Sequence, residues 1–328
     1  MRNKYSICLA VVPVFFFSFL LLAPGNPVSA AEYPTKPVNL IVPMAAGGGP
    51  DATFRMLSSE AEKDLGKKIV IINRPGPGGA TGVAETLLSK PDGYTIGMCA
   101  VAMVTIQPLL KDLPYKGPED MVPLVQSNEA PMVLYVKADS PLKAFKDFID
   151  EAKKRPGQVP VGIVGGNYNI PHVQLVMLEK KAGIKLNLVP YGSADHVTAV
   201  LGGTLEASMG QVAVMTQHIQ AGTVRALSVF AGRRVNRLAD IPIVKELGYD
   251  ITDIPYEFVF APKGTPKIAI DKLTAAYTKA AKSQTFQDYA DKTGIFASFA
   301  GPDELAKKLR ADAERYKAIV QELGWKTK

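Results

Sequence analysis

Cysteine is nearly absent, with Cys8 and Cys99 the only two in 328 residues. Cys8 lies in the leading apolar stretch, too early for a lipid-anchor cysteine. Its loss with that stretch leaves Cys99 alone, which excludes an internal disulfide and the paired-cysteine zinc patterns. Histidine is almost as scarce. His172, His196 and His218 all fall in helical patterns, with no His-x-x-x-His pair, so no metal site is expected. The chain also lacks a G-x-S-x-G elbow and a Walker lysine. Nothing assembles an acid, a base and a nucleophile, so no catalytic residue, no cofactor and no enzymatic activity are expected. Nor is there a block of one charge: the basic runs are no longer than Lys153, Lys154 and Arg155. The excess of lysine reads as a solvated, mildly basic surface that favours anionic solutes, and a nucleic-acid footprint is not expected.

What is present begins with export. Arg2 and Lys4 precede an apolar stretch from Ile7 to Ala23, followed by the small residues Val28, Ser29 and Ala30. That is the pattern of a secretory signal peptide cleaved near Ala30 and Ala31, implying a periplasmic protein. A retained anchor helix is the alternative, and Pro13 and the Pro24–Pro27 cluster interrupt the apolar run it would need. Loss of residues 1–30 lowers the net charge from +7 to +5 and leaves about 298 residues, enough for two domains of ordinary size.

Short β-rich runs alternate with helical stretches along this remainder, which predicts α/β layers with mainly parallel sheets. Strands are expected at 38–43, 69–73, 94–98, 132–136, 159–164, 186–190, 206–209, 224–230 and 257–261. Helices are expected at 50–64, 142–154, 171–182, 193–201, 266–283 and 302–323. No Ser/Gly linker separates two units. Two stretches read as crossings, Ser127–Pro131 and Asp250–Tyr256. If both cross, residues 31–131 plus 253–328 form one discontinuous domain and 132–252 the other, with a hinge and a ligand cleft between them. Two sequential domains are the alternative.

Two glycine-rich loops carry the chemistry. Met44-Ala45-Ala46-Gly47-Gly48-Gly49-Pro50-Asp51 follows the first strand and opens a helix. Asn73-Arg74-Pro75-Gly76-Pro77-Gly78-Gly79 follows the second. Glycines let backbone N–H groups approach a ligand, and a helix N-terminus favours an anion. Gly47-x-Gly49-x-x-Ala52 also fits the dinucleotide fingerprint, but the second strand ends in Asn73 where an acid would hold the ribose. Tight turns without a ligand are the remaining reading. In the middle of the chain, GIVGGNYNIPH (162–172) opens another helix, offering Gly166, Asn167, Tyr168 and His172. Tyr191 and Ser193 repeat the arrangement in VPYGS. The plainer readings are core packing for Tyr168 and Tyr191 and a hydrogen-bonded structural role for His172.

Across the whole exported portion the sequence resembles the Bug-type receptors, the extracytoplasmic solute-binding proteins of tripartite tricarboxylate transporters. The resemblance rests on YPTKPVNLIVPMAAGGGPDATFR (33–55), NRPGPGGATG (73–82), KPDGYTIG (90–97), VPYGSADHVTAVLGG (189–203), HIQAGTVRALSVF (218–230) and APKGTP (261–266). It implies a type II periplasmic binding protein that closes on one small solute, often a di- or tricarboxylate, an acidic amino acid or an aromatic acid. A di- or tricarboxylate or aromatic acid is expected here, delivered to membrane permease subunits, with a monomer expected. By resemblance, Ala46, Gly47, Gly48, Asp51, Gly78 and Gly79 hold one carboxylate, while Gly166, Asn167, Tyr168, His172 and Tyr191 select the rest of the ligand. A sensor that presents its closed form to a membrane signalling protein is the alternative. Gly210 stands where many members carry an aspartate, which makes an amino-acid ligand less expected, although Glu206 or Glu257 could compensate.

Overall fold

Alternating β-branched and amphipathic runs become eleven strands and eleven α-helices in the computed structural model, which describes residue 1, residues 32–192 and residues 195–327. The signal segment and Ser193 lie outside the described residues. From Tyr33 the chain runs through β1 (Val38–Val42), α1 (Gly49–Leu65), β2 (Ile69–Asn73), α2 (Ala80–Leu87) and β3 (Thr95–Ala100). The short helices α3 (Ala102–Thr105) and α4 (Gln107–Leu110) lead to β4 (Met121–Glu129) and β5 (Met132–Lys137). Then come α5 (Phe145–Lys154), β6 (Pro160–Val164), α6 (Ile170–Ala182), β7 (Asn187–Tyr191), α7 (Asp195–Leu201), β8 (Ala207–Gln211), α8 (Val212–Gln220) and β9 (Val224–Phe230). The chain ends with β10 (Tyr256–Pro262), α9 (Lys267–Lys282), α10 (Gln284–Thr293), β11 (Phe296–Ala300) and α11 (Pro302–Glu322).

The strands form two sheets, ordered β11-β4-β10-β3-β1-β2 and β7-β6-β8-β5-β9. Both are mixed, which corrects the expectation of mainly parallel sheets. The pairs β1–β2, β1–β3, β6–β7 and β6–β8 are parallel, but β10 runs antiparallel to β3 and β4, and β5 antiparallel to β8 and β9. The cause is the route of the chain. Strand β4 leaves the first sheet for the second at Ala130 and Pro131, and β10 re-enters the first sheet beside it, so the two must run in opposite senses. The Ala130 N–H donates to the Pro255 carbonyl at 2.7 Å, which binds the outgoing and returning connections together.

Each sheet is covered on both faces. Phe54, Leu57, Leu273 and Tyr277 of α1 and α9 pack on one face of the first sheet, and Met103, Leu305, Leu309 and Tyr316 of α3 and α11 pack on the other. The second sheet takes Phe148, Ile149, Leu175 and Leu178 of α5 and α6 on one face and Val197, Val200 and Met215 of α7 and α8 on the other. Helix α6 belongs to both halves, because its first turns send Ile170 and Val173 into the core that covers the first sheet.

Strands β4 and β11 and helices α3, α4 and α10 are not anticipated by the sequence pattern. The reason is clearest in β4, where Pro123, Gln126, Ser127 and Asn128 read as a loop. In the fold those polar side chains are buried and bonded: Gln126 Nε2 donates to Ser298 Oγ at 2.9 Å, and Asn128 Nδ2 to Glu257 Oε2 at 3.1 Å. In the middle of the first sheet Phe260 fills the room left by Gly97, whose added Cβ would stand 2.6 Å from the Phe260 ring. Phe260→Ala should therefore cost about 3–5 kcal/mol in denaturant unfolding. Gly97→Ala should cost about 1–3 kcal/mol by overpacking the same site.

Candidate functional site

The first glycine-rich loop is set by Asp51. Its carboxylate is 3% exposed and accepts from the Gly47 N–H at 2.9 Å, from Arg55 Nε at 3.0 Å and from Asn73 Nδ2 at 2.9 Å. Asn73 Nδ2 also donates to the Met44 carbonyl at 3.0 Å, which ties the loop after β1 to the end of β2. Burial alone would raise the Asp51 pKa, but the bonds from Arg55, Gly47 and Asn73 outweigh it and hold the carboxyl below its ordinary range. Asp51 is committed to the turn. Several glycine N–H groups expected to face a ligand are likewise spent locally, since Gly48 donates to the Ala45 carbonyl and Gly79 to the Gly76 carbonyl. The donors left on this wall are the N–H groups of Gly49 and Asp51 in the first turn of α1, since Pro50 has none and Ala52 bonds the Gly48 carbonyl; Gly49 and Pro50 line a cavity.

The second loop presents Gly78 and Gly79, both in the left-handed region at φ 66° and 82°. Gln107 of α4 braces it, donating Nε2 to the Gly78 carbonyl at 2.7 Å. Across from these loops lies the start of α6. Asn169 caps that helix, accepting from the His172 N–H at 3.0 Å and donating Nδ2 to the Val164 carbonyl at 2.7 Å. Tyr168 is the residue just before the cap and takes φ 64°, held there as its N–H donates to His172 Nδ1 at 3.1 Å. The His172 ring stacks on Trp325 beyond α11 at 4.6 Å, and Tyr168 meets the same indole edge-on at 5.2 Å. Burial pushes the His172 pKa down to about 4, so the ring is neutral. His172 thus locks the loop against the C-terminus.

Two adjoining hollows lie between the halves. The outer one, about 280 Å³, is lined by Gly78 and Gly79 on one side and Gly165, Gly166 and Tyr191 on the other. The inner one, about 80 Å³, is walled by Gly49, Pro50, Gly78 and Met103 on one side and Gly165, Asn169, Ile170 and Pro171 on the other. Of the residues expected at the site, Gly78, Gly79, Gly166 and Tyr191 therefore line the space. Ala46, Gly47, Gly48, Asp51, Asn167, Tyr168 and His172 line neither hollow, and Asn167 is exposed.

Asn169, which the 162–172 stretch offers as an amide donor, lines the inner cavity, but sequence reasoning missed the rest of its polar lining: Gln107, His196 and Gln211. They arrive from three separate elements, and no local motif marks them. His196, 1% exposed, shares a 2.6 Å hydrogen bond with the Tyr135 hydroxyl through Nδ1, and burial lowers its pKa to about 4. It also occupies the space beside Gly210, where an added Cβ would stand 3.0 Å from His196 Cε1 and 2.7 Å from Met215 Cγ. Glu206 is paired with Arg155 and lines a different hollow. Glu257 of β10 does face the inner cavity, 2% exposed, with Oε1 accepting from Gln211 Nε2 at 3.3 Å and Oε2 from Asn128. Burial raises its pKa from 4.5 to about 6, against the two amide bonds that lower it.

A cleft between two mixed α/β sheets, walled by glycine loops and helix starts from both, is a site for enclosing a small solute. The model of the tripartite tricarboxylate transporter family receptor matches residues 53–325. The chain belongs to that family. It is a solute-binding receptor and not an enzyme, and the receptors of this family are periplasmic. The receptor is 30% identical to Protein BugT of Bordetella pertussis over 326 residues, covering 98% of each chain. It matches the structure of periplasmic binding protein BugD with a TM-score of 0.82 at 29% identity, covering 90% of this receptor and 99% of BugD. The fold is shared with an R. palustris protein, Rpa4515, solved with adipate, at a TM-score of 0.85 and 23% identity, covering 89% of the receptor and 99% of that chain.

The raised Glu257 pKa makes a prediction about the empty receptor. The folded state holds the proton more tightly than the unfolded chain, so this carboxyl's contribution to stability falls as pH rises from 4.5 to about 6. Glu257→Gln removes that dependence. The stability difference between variant and wild type should move in the variant's favour by about 2 kcal/mol between pH 4.5 and pH 7. Denaturant titrations of both proteins across that range would show it, and parallel pH profiles would contradict it.

Proposed function

We propose that this receptor captures a small carboxylate-bearing solute in the cleft between its two sheets, closes over it and delivers it to the permease subunits of a tripartite transporter. On this reading the exported chain, cleaved near Ala30 and Ala31, acts as a monomer of two domains, residues 31–131 plus 253–328 and residues 132–252. The side-by-side connections at Ala130 and Pro255 are the hinge. One observation carries the reading: Gly78 of the first half and Gly165 of the second line both hollows from opposite sides, so a solute there touches both halves at once. Helices α1 and α6 both begin at the inner cavity, and their dipoles, with the free N–H groups of Gly49 and Asp51 in the first and of Ile170 in the second, favour a carboxylate between them. The solute is bound through preorganised donors and exclusion of water, with no covalent step.

A thermal-shift screen of the exported chain against carboxylates tests this directly. A ligand at a hundredfold excess over its dissociation constant should stabilise the protein by about 2.7 kcal/mol. Gly78→Val should abolish the shift, because a side chain there is strained at φ 66° and its Cβ would stand 2.5 Å from Gln107 Nε2. If amines, sugars or metals shift the melting temperature and no carboxylate does, the reading fails. Trp325 supplies a second readout. It is the single tryptophan of the chain and stacks across the two halves on His172, so ligand binding should change the intrinsic emission. His172→Ala should diminish that change.

A further inference from the structure

The inner cavity has an electrostatic asymmetry that a receptor for simple dianions does not need. Two helices, α1 and α6, begin at its walls and bring partial positive charge there, with the N–H groups of Gly49 and Asp51 in α1 and of Ile170 in α6 left without a partner among the described residues. Glu257 stands on another wall. Among the described residues lining the cavity it is the only side-chain carboxyl, and no lysine or arginine lines it. Its hydrogen-bond partners are the neutral amides of Asn128 and Gln211, and among the described residues no ion pair holds it. A carboxylate has about four acceptor positions, so two amide bonds leave capacity facing the cavity. Every other polar lining side chain, Gln107, Asn169, His196 and Gln211, is neutral, the imidazole because burial keeps it so. The remaining walls are largely apolar, with Met44, Met103, Met132 and Ile170 among them. A buried carboxylate in such surroundings is costly unless a cation or charge-assisted donor meets it, and a second anion brought beside it is repelled.

We infer that Glu257 is a specificity-determining residue, selecting a solute that carries a cationic nitrogen opposite the carboxylate held by the helix starts. The inference rests on the proposal that the cleft takes a carboxylate, and it narrows the solute to a zwitterion. An ammonium entering the cavity replaces the missing counter-charge of Glu257 with short, charge-assisted hydrogen bonds. A dicarboxylate of the same length would place its second anion against Glu257.

Matched pairs that differ only in that end group test the inference by calorimetry at pH 7.5: succinate against β-alanine, glutarate against 4-aminobutyrate, adipate against 6-aminohexanoate, and terephthalate against 4-(aminomethyl)benzoate. In the pair whose length fits, the amino acid should bind at least about tenfold tighter than the dicarboxylate. Glu257→Gln should weaken the amino acid by about 30-fold or more while leaving the dicarboxylate unchanged or improved. The wild-type comparison stands by itself should the variant fold poorly. If the dicarboxylates bind more tightly than their amino partners, the carboxylate reading stands and the role given to Glu257 is wrong. If no member of any pair binds, the role given to Glu257 is likewise overturned, and the thermal-shift screen decides the carboxylate reading separately.

Discussion

The cleft depends on one antiparallel pair, β4 with β10, at the point where the chain passes between the sheets. Their connections are joined by the Ala130 N–H to Pro255 carbonyl bond, and just inside the sheet Asn128 stands opposite Glu257 as a cross-strand pair. This pairing makes the sheets mixed, because one strand leaves where the other returns. It also sets what the floor of the cleft is made of. Polar side chains are tolerated there because each finds a partner across the strand or from a neighbouring element, as Gln126 does with Ser298 and Lys308.

Two buried carboxylates lie near the cleft, and their partners separate structure from function. Asp51 receives a guanidinium, a backbone N–H and a side-chain amide, so its charge is compensated within its own loop. Nothing about Asp51 calls for a ligand. Glu257 receives only amides, and its pKa moves the other way. The two carboxyls shift in opposite directions because Glu257 lies far deeper and receives only amides, whereas Asp51 lies nearer the surface and receives a guanidinium as well. The compensation of a buried charge, more than the charge itself, marks the group that still has an interaction to make.

The sequence made the positions of the glycine loops legible because strand, loop and helix start are local patterns. Strands β1 and β2 are parallel neighbours, and the loops after them meet at Asn73 as local reasoning predicts. The donors of those loops were not legible. Gly47, Gly48 and Gly79 satisfy acceptors within their own turns, a fact that depends on φ, ψ and a side chain four residues away rather than on glycine content. The polar lining was hidden for a different reason. Gln107, His196 and Gln211 each sit in a helix, a strand end or a short turn with no motif around them, and only the tertiary fold brings them to one cavity. Strand β4 was hidden because its alternation is broken by Pro123 and by polar residues that are buried rather than exposed.

Helix α6 explains how a small solute could govern closure of so large a chain. Its middle is part of the second sheet's core through Leu175 and Leu178, while its first turns pack Ile170 and Val173 against the first half. Other contacts across this seam include His172 and Tyr168 on Trp325, the Gln211–Glu257 bond, the bonds of Gln174 and Arg237 to the Asp253 and Asp291 carbonyls, Arg233 over Phe296 and the exposed pair Lys180–Glu322. An exposed ion pair contributes about 0–1 kcal/mol, and a ring pair adds about 0.5–1.5 kcal/mol beyond its burial. On the proposed reading, a solute that touches Gly78 and Gly165 together binds fully only when the halves meet, so its affinity acts as the difference between open and closed states. Differential affinity of that kind is what shifts a population.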